Sequence, residues 1–290
     1  MNHSMINSFV SMQGLQQKLD IISNNMANIN TTGFKRQEAT FHDILTTTMR
    51  QPEAFQQAGR MSPLGLTQGW GAKLSQIQTI LAQGSLKQTD SPTDLAIEGD
   101  ALFEILIPSL DGDGEPVQRA AWTRDGAFSL KPQPGDTENV YLTTREGHLV
   151  LNANDEPIAI PNNRRITVES DGTISVYNDL QPDQPPVAAG QLKLVQVVRP
   201  QLLQQLGDNL YTLPDEIDPA LGEVLRVAAT DGQNPEAAKV KVHQGFLEQS
   251  NVNMAEEITE LMLTQRAYQL NAKALTSADN MMSLANSLRG

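Results

Sequence analysis

Asp111, Asp113 and Glu115 place three carboxylates at alternate positions, as the opening of a calcium-binding loop does. Such a loop needs glycine at its sixth position and a bidentate glutamate at its twelfth, where this chain has Pro116 and Trp122, so a hairpin turn is the expected reading. The four histidines (His3, His42, His148, His243) are far apart, and with no cysteine there is no thiolate nucleophile, cysteine metal site or disulfide. Gly65, Gly69 and Gly71 form a tight cluster that neither follows a strand nor opens a helix, and no serine has the strand–turn–helix context of a nucleophile. Adjacent acids such as Asp215 and Glu216 arise by chance among 34 carboxylates. Arg124 and Asp125, in WTRDGAF, read as a β-turn with a flanking ion pair. The residues therefore nominate no catalytic group, no cofactor and no metal, and point to a non-enzymatic protein.

The elements that carry these residues say more. The chain has 290 residues and a net charge of −13, which argues against nucleic acid or an anionic membrane surface as the main partner. No apolar run approaches the roughly 18 residues of a membrane span. The start, MNHSMINSFVSMQGLQQ, lacks the basic and unbroken apolar regions of a signal peptide, so any export is expected to proceed without a cleavable signal.

All 16 prolines fall between Pro52 and Pro235. Residues 51–250 hold 14 basic and 27 acidic groups and so carry the whole net charge, while the two ends together are neutral. The predicted fold is α+β: long N- and C-terminal helices forming a coiled-coil core domain, with a central all-β domain of barrel or sandwich type. The expected divisions are an N-terminal helical arm at 1–50, an extended linker at 51–80, a β domain at 81–245 and a C-terminal helical arm at 246–290.

The front arm repeats every seven residues, with Met5, Met12, Leu19 and Met26 in one register and Leu15, Ile22 and Ile29 in the other; only Ser8 interrupts the seam. Asn30, Thr31 and Thr32 are poor helix formers, and Gly33 can take a left-handed cap, so the helix is expected to stop near residue 30 with Phe34 as an anchor. The back arm opens at SNVNMAEE, where Ser250, Asn251 or Asn253 can cap and Glu256 and Glu257 favour the first turn. One apolar stripe runs through Met254, Ile258, Leu261, Tyr268, Ala272, Leu275 and Met282. A second runs through Leu263, Ala267, Leu270, Ala274, Met281, Leu284 and Leu288. Positions 261 and 263 lie about 200° apart on a helix, so one partner helix cannot cover both stripes, and intermolecular packing is expected.

Between the arms, short alternating segments at 95–97, 102–107, 127–130, 140–143, 148–151, 166–168, 173–177, 191–198, 210–213 and 223–228 read as strands. Asp125-Gly126, Asp171-Gly172 and Asp231-Gly232 read as turns joining antiparallel strands. Residues 52–75, broken by glycine and proline, read as a loop or extended linker.

The segment LDIISNNMANINTTGFKR (19–36) resembles the N-terminal signature of bacterial flagellar rod and hook proteins, the axial family. The resemblance continues through GSLKQTDSPTDLAIEGDALFEI (84–105), TRDGAFSL (123–130), REGHLVLN (145–152) and FLEQSNVNMAEEITELMLTQRAYQLNAKALTSADNMM (246–282). Where the family usually reads G-D-G-F-F, this chain has Gly99-Asp100-Ala101-Leu102-Phe103, which leaves the details of that strand open.

This resemblance implies a structural subunit of the flagellar basal body whose terminal helices polymerise into the hollow rod needed for motility, with the β domain as the outer wall. The insert of about 200 residues is most like the distal-rod branch. Hook subunit is the alternative, and an exported wall-degrading enzyme the more remote one. The implied partners are the protein itself, other rod and hook proteins and the type III export apparatus, with no direct membrane insertion. The assembly interface carried over by the resemblance comprises Asn24, Asn25, Asn28, Asn30, Thr31, Gly33 and Phe34 at the front and Ser250, Asn251, Val252, Gln265, Arg266, Tyr268 and Asn271 at the back. The helix stripes add Leu261 and Leu270.

Overall fold

The computed structural model describes residues 2–43, 47–49, 66–68, 72–110, 116–133, 136, 138–162, 164–177, 186–207, 209–214, 224–227 and 240–288. The chain divides into two compact units, each discontinuous in sequence: one of Met1–Ala27, Gln37–Gln78 and Asn253–Gly290, the other of Asn28–Arg36 and Thr79–Val252.

The first unit holds helix α1 (Asn2–Ala27), strands β1 (Gln37–Asp43), β2 (Thr47–Met49), β3 (Leu66–Gln68) and β4 (Ala72–Thr79), and helix α2 (Met254–Ser287). The helices pack on each other, β1 pairs with β4, and β2 pairs with β3. The 51–80 stretch expected to be an extended linker thus contains β3 and β4 among its described residues. Along α1 the seam reads as its heptads require, with Ile22 buried and Met12, Leu15 and Leu19 half-buried. Ser8 occupies its seam position as a buried residue rather than a break. The buried line of α2 is Glu257, Thr264 and Ala278, seven residues apart or a multiple of seven, with the half-buried Asn271 completing the series. Leu261, Tyr268, Leu275 and Met282 flank this line half-buried. Small side chains let the helices approach, and buried Gly14 does the same for α1. No helix in the described residues is long and apolar enough to cross a membrane.

The second unit is β-rich. Its strands are β5 (Leu86–Gln88), β6 (Leu95–Glu98), β7 (Ala101–Leu110), β8 (Pro116–Thr123), β9 (Ser129–Pro132), β10 (Asn139–Thr143), β11 (Leu149–Val150), β12 (Ala159–Pro161), β13 (Arg165–Val168), β14 (Thr173–Tyr177), β15 (Val187–Gln191), β16 (Leu194–Val197), β17 (Gln204–Gly207), β18 (Leu210–Thr212), β19 (Leu225–Val227), β20 (Lys241–Gln244) and β21 (Phe246–Glu248). The main sheet runs β12-β10-β11-β7-β8-β18-β17, with β16 bridging β7 to β19 and β9 added on β10. A three-stranded sheet β13-β14-β15 and the antiparallel pairs β20-β6 and β21-β5 complete the unit. Strand β7 organises both cores. Phe103, Ile105 and Ile107 alternate into the larger cluster with Leu95, Ile97, Phe128 and Ile174, while Leu102 joins Trp122, Val195 and Tyr211 in the smaller one.

Two turns behave differently from each other. Asp171-Gly172 joins β13 to β14, with Gly172 left-handed and the Thr173 N–H donating to Asp171 Oδ1 at 2.9 Å. Asp125-Gly126 does not close a hairpin, because β8 pairs with β7 and β18 while β9 pairs with β10. It is a corner, and a Cβ on Gly126 would lie 1.6 Å from the Leu95 carbonyl oxygen. Asp231-Gly232, Asp111 to Glu115, Asp215 with Glu216, and Gly65, Gly69 and Gly71 lie outside the described residues.

Candidate functional site

The two halves of the sequence signature come together in the β unit. Helix α1 ends at Ala27, earlier than a Gly33 cap would place it, and residues 28–33 form turns in which Thr31 donates its N–H to the Asn28 carbonyl (3.1 Å) and its hydroxyl to Asn28 Oδ1 (3.1 Å). Gly33 is left-handed, with φ +68°, for a different reason than capping. A Cβ there would sit 2.5 Å from the Asp125 backbone nitrogen and 2.7 Å from the Arg124 carbonyl carbon, so only glycine permits this approach. The Gly33 N–H donates to the Glu248 carbonyl at 2.9 Å, and Phe34 is buried. Thr32 donates its hydroxyl to Asp125 Oδ1 (2.8 Å), and its carbonyl accepts from Asn209 Nδ2 (3.0 Å).

At the centre are three buried charges. Glu248 accepts from Lys35 Nζ at 2.7 Å and from the Gly84 N–H at 2.7 Å through Oε1, and from Arg124 Nε through Oε2. Arg124 also donates to the carbonyls of Ala101, Ile97 and Gly99, and Lys35 also donates to the Ala82 carbonyl. The side chains of all three are 1–2% exposed. Arg124 therefore has its carboxylate partner 124 positions away in Glu248 rather than next door in Asp125, whose Oδ1 takes Thr32 and the Ala127 N–H.

Electrostatics follow from that census. Burial is the largest influence on Lys35 and draws its pKa below the usual lysine value; Arg124 adds to this and Glu248 opposes it. Burial also pushes Glu248 upward, but Arg124 and Lys35 together outweigh it and hold the carboxyl below its ordinary range. The asymmetry arises because the single anion faces two cations. Burial raises Asp125 despite its hydrogen bonds from Thr32 and Ala127.

Asn251 ties three stretches together: its Oδ1 accepts the Arg36 N–H (2.7 Å), and its Nδ2 donates to the carbonyls of Ile80 (2.9 Å) and Ala82 (3.0 Å). Ser250 Oγ accepts the Val252 N–H, and Val252 is buried. In the helical unit, Asn253 proves to be the cap of α2, its Oδ1 accepting the Ala255 N–H at 3.1 Å while its Nδ2 donates to Glu256.

The sequence-nominated residues therefore divide by setting. Gly33, Phe34, Ser250, Asn251 and Val252 gather in the β unit around Glu248, with Asn28 and Thr31 in the turn leading to them. Asn25 is buried in the helical unit, where it both donates to the Gln37 carbonyl and accepts its N–H. Asn24, Asn30, Gln265, Arg266 and Leu270 are exposed, and Leu261, Tyr268 and Asn271 are half-buried. Lys35 and Glu248 were not singled out from the sequence, and Glu257 was read only as a first-turn acid of the back helix. A lysine inside the signature and a glutamate just before SNV carried the only signal, and their partners lie too far along the chain for spacing to reveal. No cluster suited to a metal ion occurs among the described residues.

Three family descriptions match this chain: a flagella basal body rod protein over residues 11–35, a flagellar hook protein FlgE/F/G D1 domain over 96–176, and a flagellar basal body rod FlgEFG protein C-terminal region over 243–288. The chain is 35% identical over 277 residues to the flagellar basal-body rod protein FlgG of Buchnera aphidicola subsp. Schizaphis graminum, covering 94% of this chain and 96% of the relative. It is 36% identical over 280 residues to FlgG of Caulobacter vibrioides, covering 96% of each. It is 32% identical over 293 residues to the flagellar hook-basal body complex protein FlhP of Bacillus subtilis, covering all of both. Near-full-length similarity at this level, with matches at both ends and in the β unit, makes the chain a member of the flagellar basal-body rod and hook protein family, a family of structural subunits.

Proposed function

We infer that this protein is a structural subunit of the flagellar basal-body rod, most similar to distal-rod proteins, and that it polymerises through its terminal helices. The observation that carries this reading is the second stripe of α2. Leu263, Leu270, Met281, Leu284 and Leu288 are between 54% and 82% exposed, although they are spaced as a continuous apolar face. α1 packs on α2, whose buried line from Glu257 to Ala278 lies about 100° around the helix from this stripe, so the stripe stays uncovered. A soluble chain leaves such a face uncovered only if a further partner buries it, and identical subunits supply one at every repeat.

In this reading the heptad seam of α1 and the line of α2 from Glu257 to Ala278 form a coiled-coil pair, and assembly surrounds it with neighbouring pairs. The nominated interface divides accordingly. Exposed Asn24, Asn30, Gln265, Arg266 and Leu270 face neighbours, while Asn25, Gly33, Phe34, Asn251 and Val252 hold the subunit in its assembling shape. The β unit forms the wall, and other rod and hook proteins and the type III export apparatus are the partners. The test is to delete the gene, restore it with an epitope-tagged copy, and locate the tag in purified basal bodies. Tag in the rod together with restored swimming supports the reading; swimming without the protein, or tag confined to the hook, overturns the rod assignment.

A further inference from the structure

We propose that residues 28–36 are a latch: seated around Glu248, they bring the root of α1 beside the root of α2 and so drive the two helices to pair within one chain before any neighbour is present. The inference goes beyond the rod reading and stands on the contacts of the β unit alone.

The segment behaves as a plug in a socket. Its fastenings are all to residues distant in sequence: Gly33 to the Glu248 carbonyl, Lys35 to the Glu248 carboxylate, Thr32 to Asp125, and Arg36 to Asn251. The two hydrophobic clusters at the core of the β unit contain no residue of 28–36, so the segment lies against that core rather than within it. Both chain neighbours of the plug, Ala27 and Gln37, belong to the other unit. The two roots, one following α1 and the other leading into α2 through Ser250 and Val252, therefore converge on one side chain, Glu248.

The consequence is a shorter loop. With the latch seated, the path from the end of α1 through the Gly33–Glu248 hydrogen bond to the start of α2 is on the order of a dozen residues. With it released, the next fastening is the Asn251 amide on the Ile80 and Ala82 carbonyls, and the path grows to about 15 residues if β1 and β4 stay paired or about 55 if they do not. Loop-closure scaling then lowers the effective concentration of α1 at α2 by up to about tenfold, the full effect appearing where β1 and β4 also part.

Lys18 and Glu260 supply a native reporter of pairing, their charged groups standing 3.4 Å apart across α1 and α2. A carbodiimide joins such a pair as an amide that peptide mass spectrometry reads. The experiment uses the full chain, dilute and mixed with an isotopically labelled copy to separate intrachain from interchain products, at the urea concentration where the wild-type intrachain yield is half maximal. Two variants release the latch by different means: Gly33→Ala through backbone collision, and Phe34→Ala through loss of the buried anchor. In both, the Lys18–Glu260 yield should fall from one half towards about a tenth, while the β unit keeps a cooperative melt of its own. An unchanged yield in either variant overturns the proposal. So does a fall that appears only together with loss of the β unit's melt, because the segment would then be part of that fold rather than a latch upon it.

Discussion

Asn25 and Glu257 stand 232 positions apart in the chain and meet inside the helical unit, Asn25 Nδ2 donating to Glu257 Oε2 at 3.3 Å. Asn25 is 1% exposed and Glu257 not at all. The same asparagine closes both backbone groups of Gln37 at the start of β1. One amide thus joins three elements, and removing it takes one hydrogen bond from each backbone group of Gln37 and one from a fully buried carboxylate. Asn25→Ala should lower the stability of the helical unit by about 1–3 kcal/mol. Asn25→Asp should be worse, since it sets a second carboxylate against Glu257. Thermal loss of the helical circular dichroism signal in the full chain is the measurement, and equal melts for wild type and both variants would remove this contact from the argument.

The charge cluster predicts an acid response with a definite sign. Glu248 has its folded pKa held below the ordinary value, so its contribution to stability is complete above the ordinary carboxylate range and is lost as pH falls through the lowered folded value. Asp125 acts in the opposite sense. Raised by burial, it contributes stability that is complete below the ordinary aspartate value and is lost as pH rises through its raised folded value. Glu248 faces two buried cations, whereas Asp125 has two hydrogen bonds and the charge of Arg145 against its burial, so the net response expected is a fall in the β unit's stability under acid. Lys35→Met removes one of the two charges holding Glu248 down and should make that fall shallower. Parallel acid limbs for wild type and variant, measured by melts across the acidic range, would contradict the assignment.

Fragment boundaries offer a sharper test. A β fragment ending at residue 245, as turn and strand patterning suggests, omits β21 and with it Glu248. Arg124 would then stay buried against carbonyls without its carboxylate, and breaking a buried pair in this way costs about 3–5 kcal/mol. Extending the fragment from 79–245 to 79–252 should therefore raise its melting temperature substantially. Equal melting temperatures would mean that Arg124 finds water or another anion once Glu248 is gone.

What the sequence disclosed and what it hid divide along the range of the interactions. The α1 seam was legible because heptads are local, and Ile22 is buried where the repeat puts it. The buried line of α2 was not, because apolar stripes favour large residues, whereas the close approach of two helices is made by Thr264, Ala278 and a paired Glu257. Gly33 announced a left-handed conformation, but the reason for it, the Arg124–Asp125 backbone pressed against it, comes from 91 and 92 positions downstream. Strand β8 was not among the expected strands, although the turn read at Asp111 to Glu115 leads directly into it. Strands β20 and β21 adjoin the helical arm and are too short to declare a period. Arg124 was read with its neighbour Asp125 because spacing sees only neighbours.

Leu270 separates assembly from folding at one position. It is 66% exposed, midway along the uncovered stripe of α2, and Ala267 and Ala274 beside it leave room for another helix to approach. Burying a leucine side chain is worth roughly 1.5–3 kcal/mol, and an aspartate at the same place adds the cost of desolvating a charge. In a single chain neither term applies, because the side chain stands in solvent, so Leu270→Asp should leave the melts of both units within about 0.5 kcal/mol of wild type. In a rod the penalty recurs at every copy of the interface, so the same change should abolish incorporation and swimming while the exported subunit is still made. The decisive assay pairs motility with detection of the variant in basal bodies. Normal swimming with the variant incorporated would show that this face of α2 is not the surface through which the subunits join.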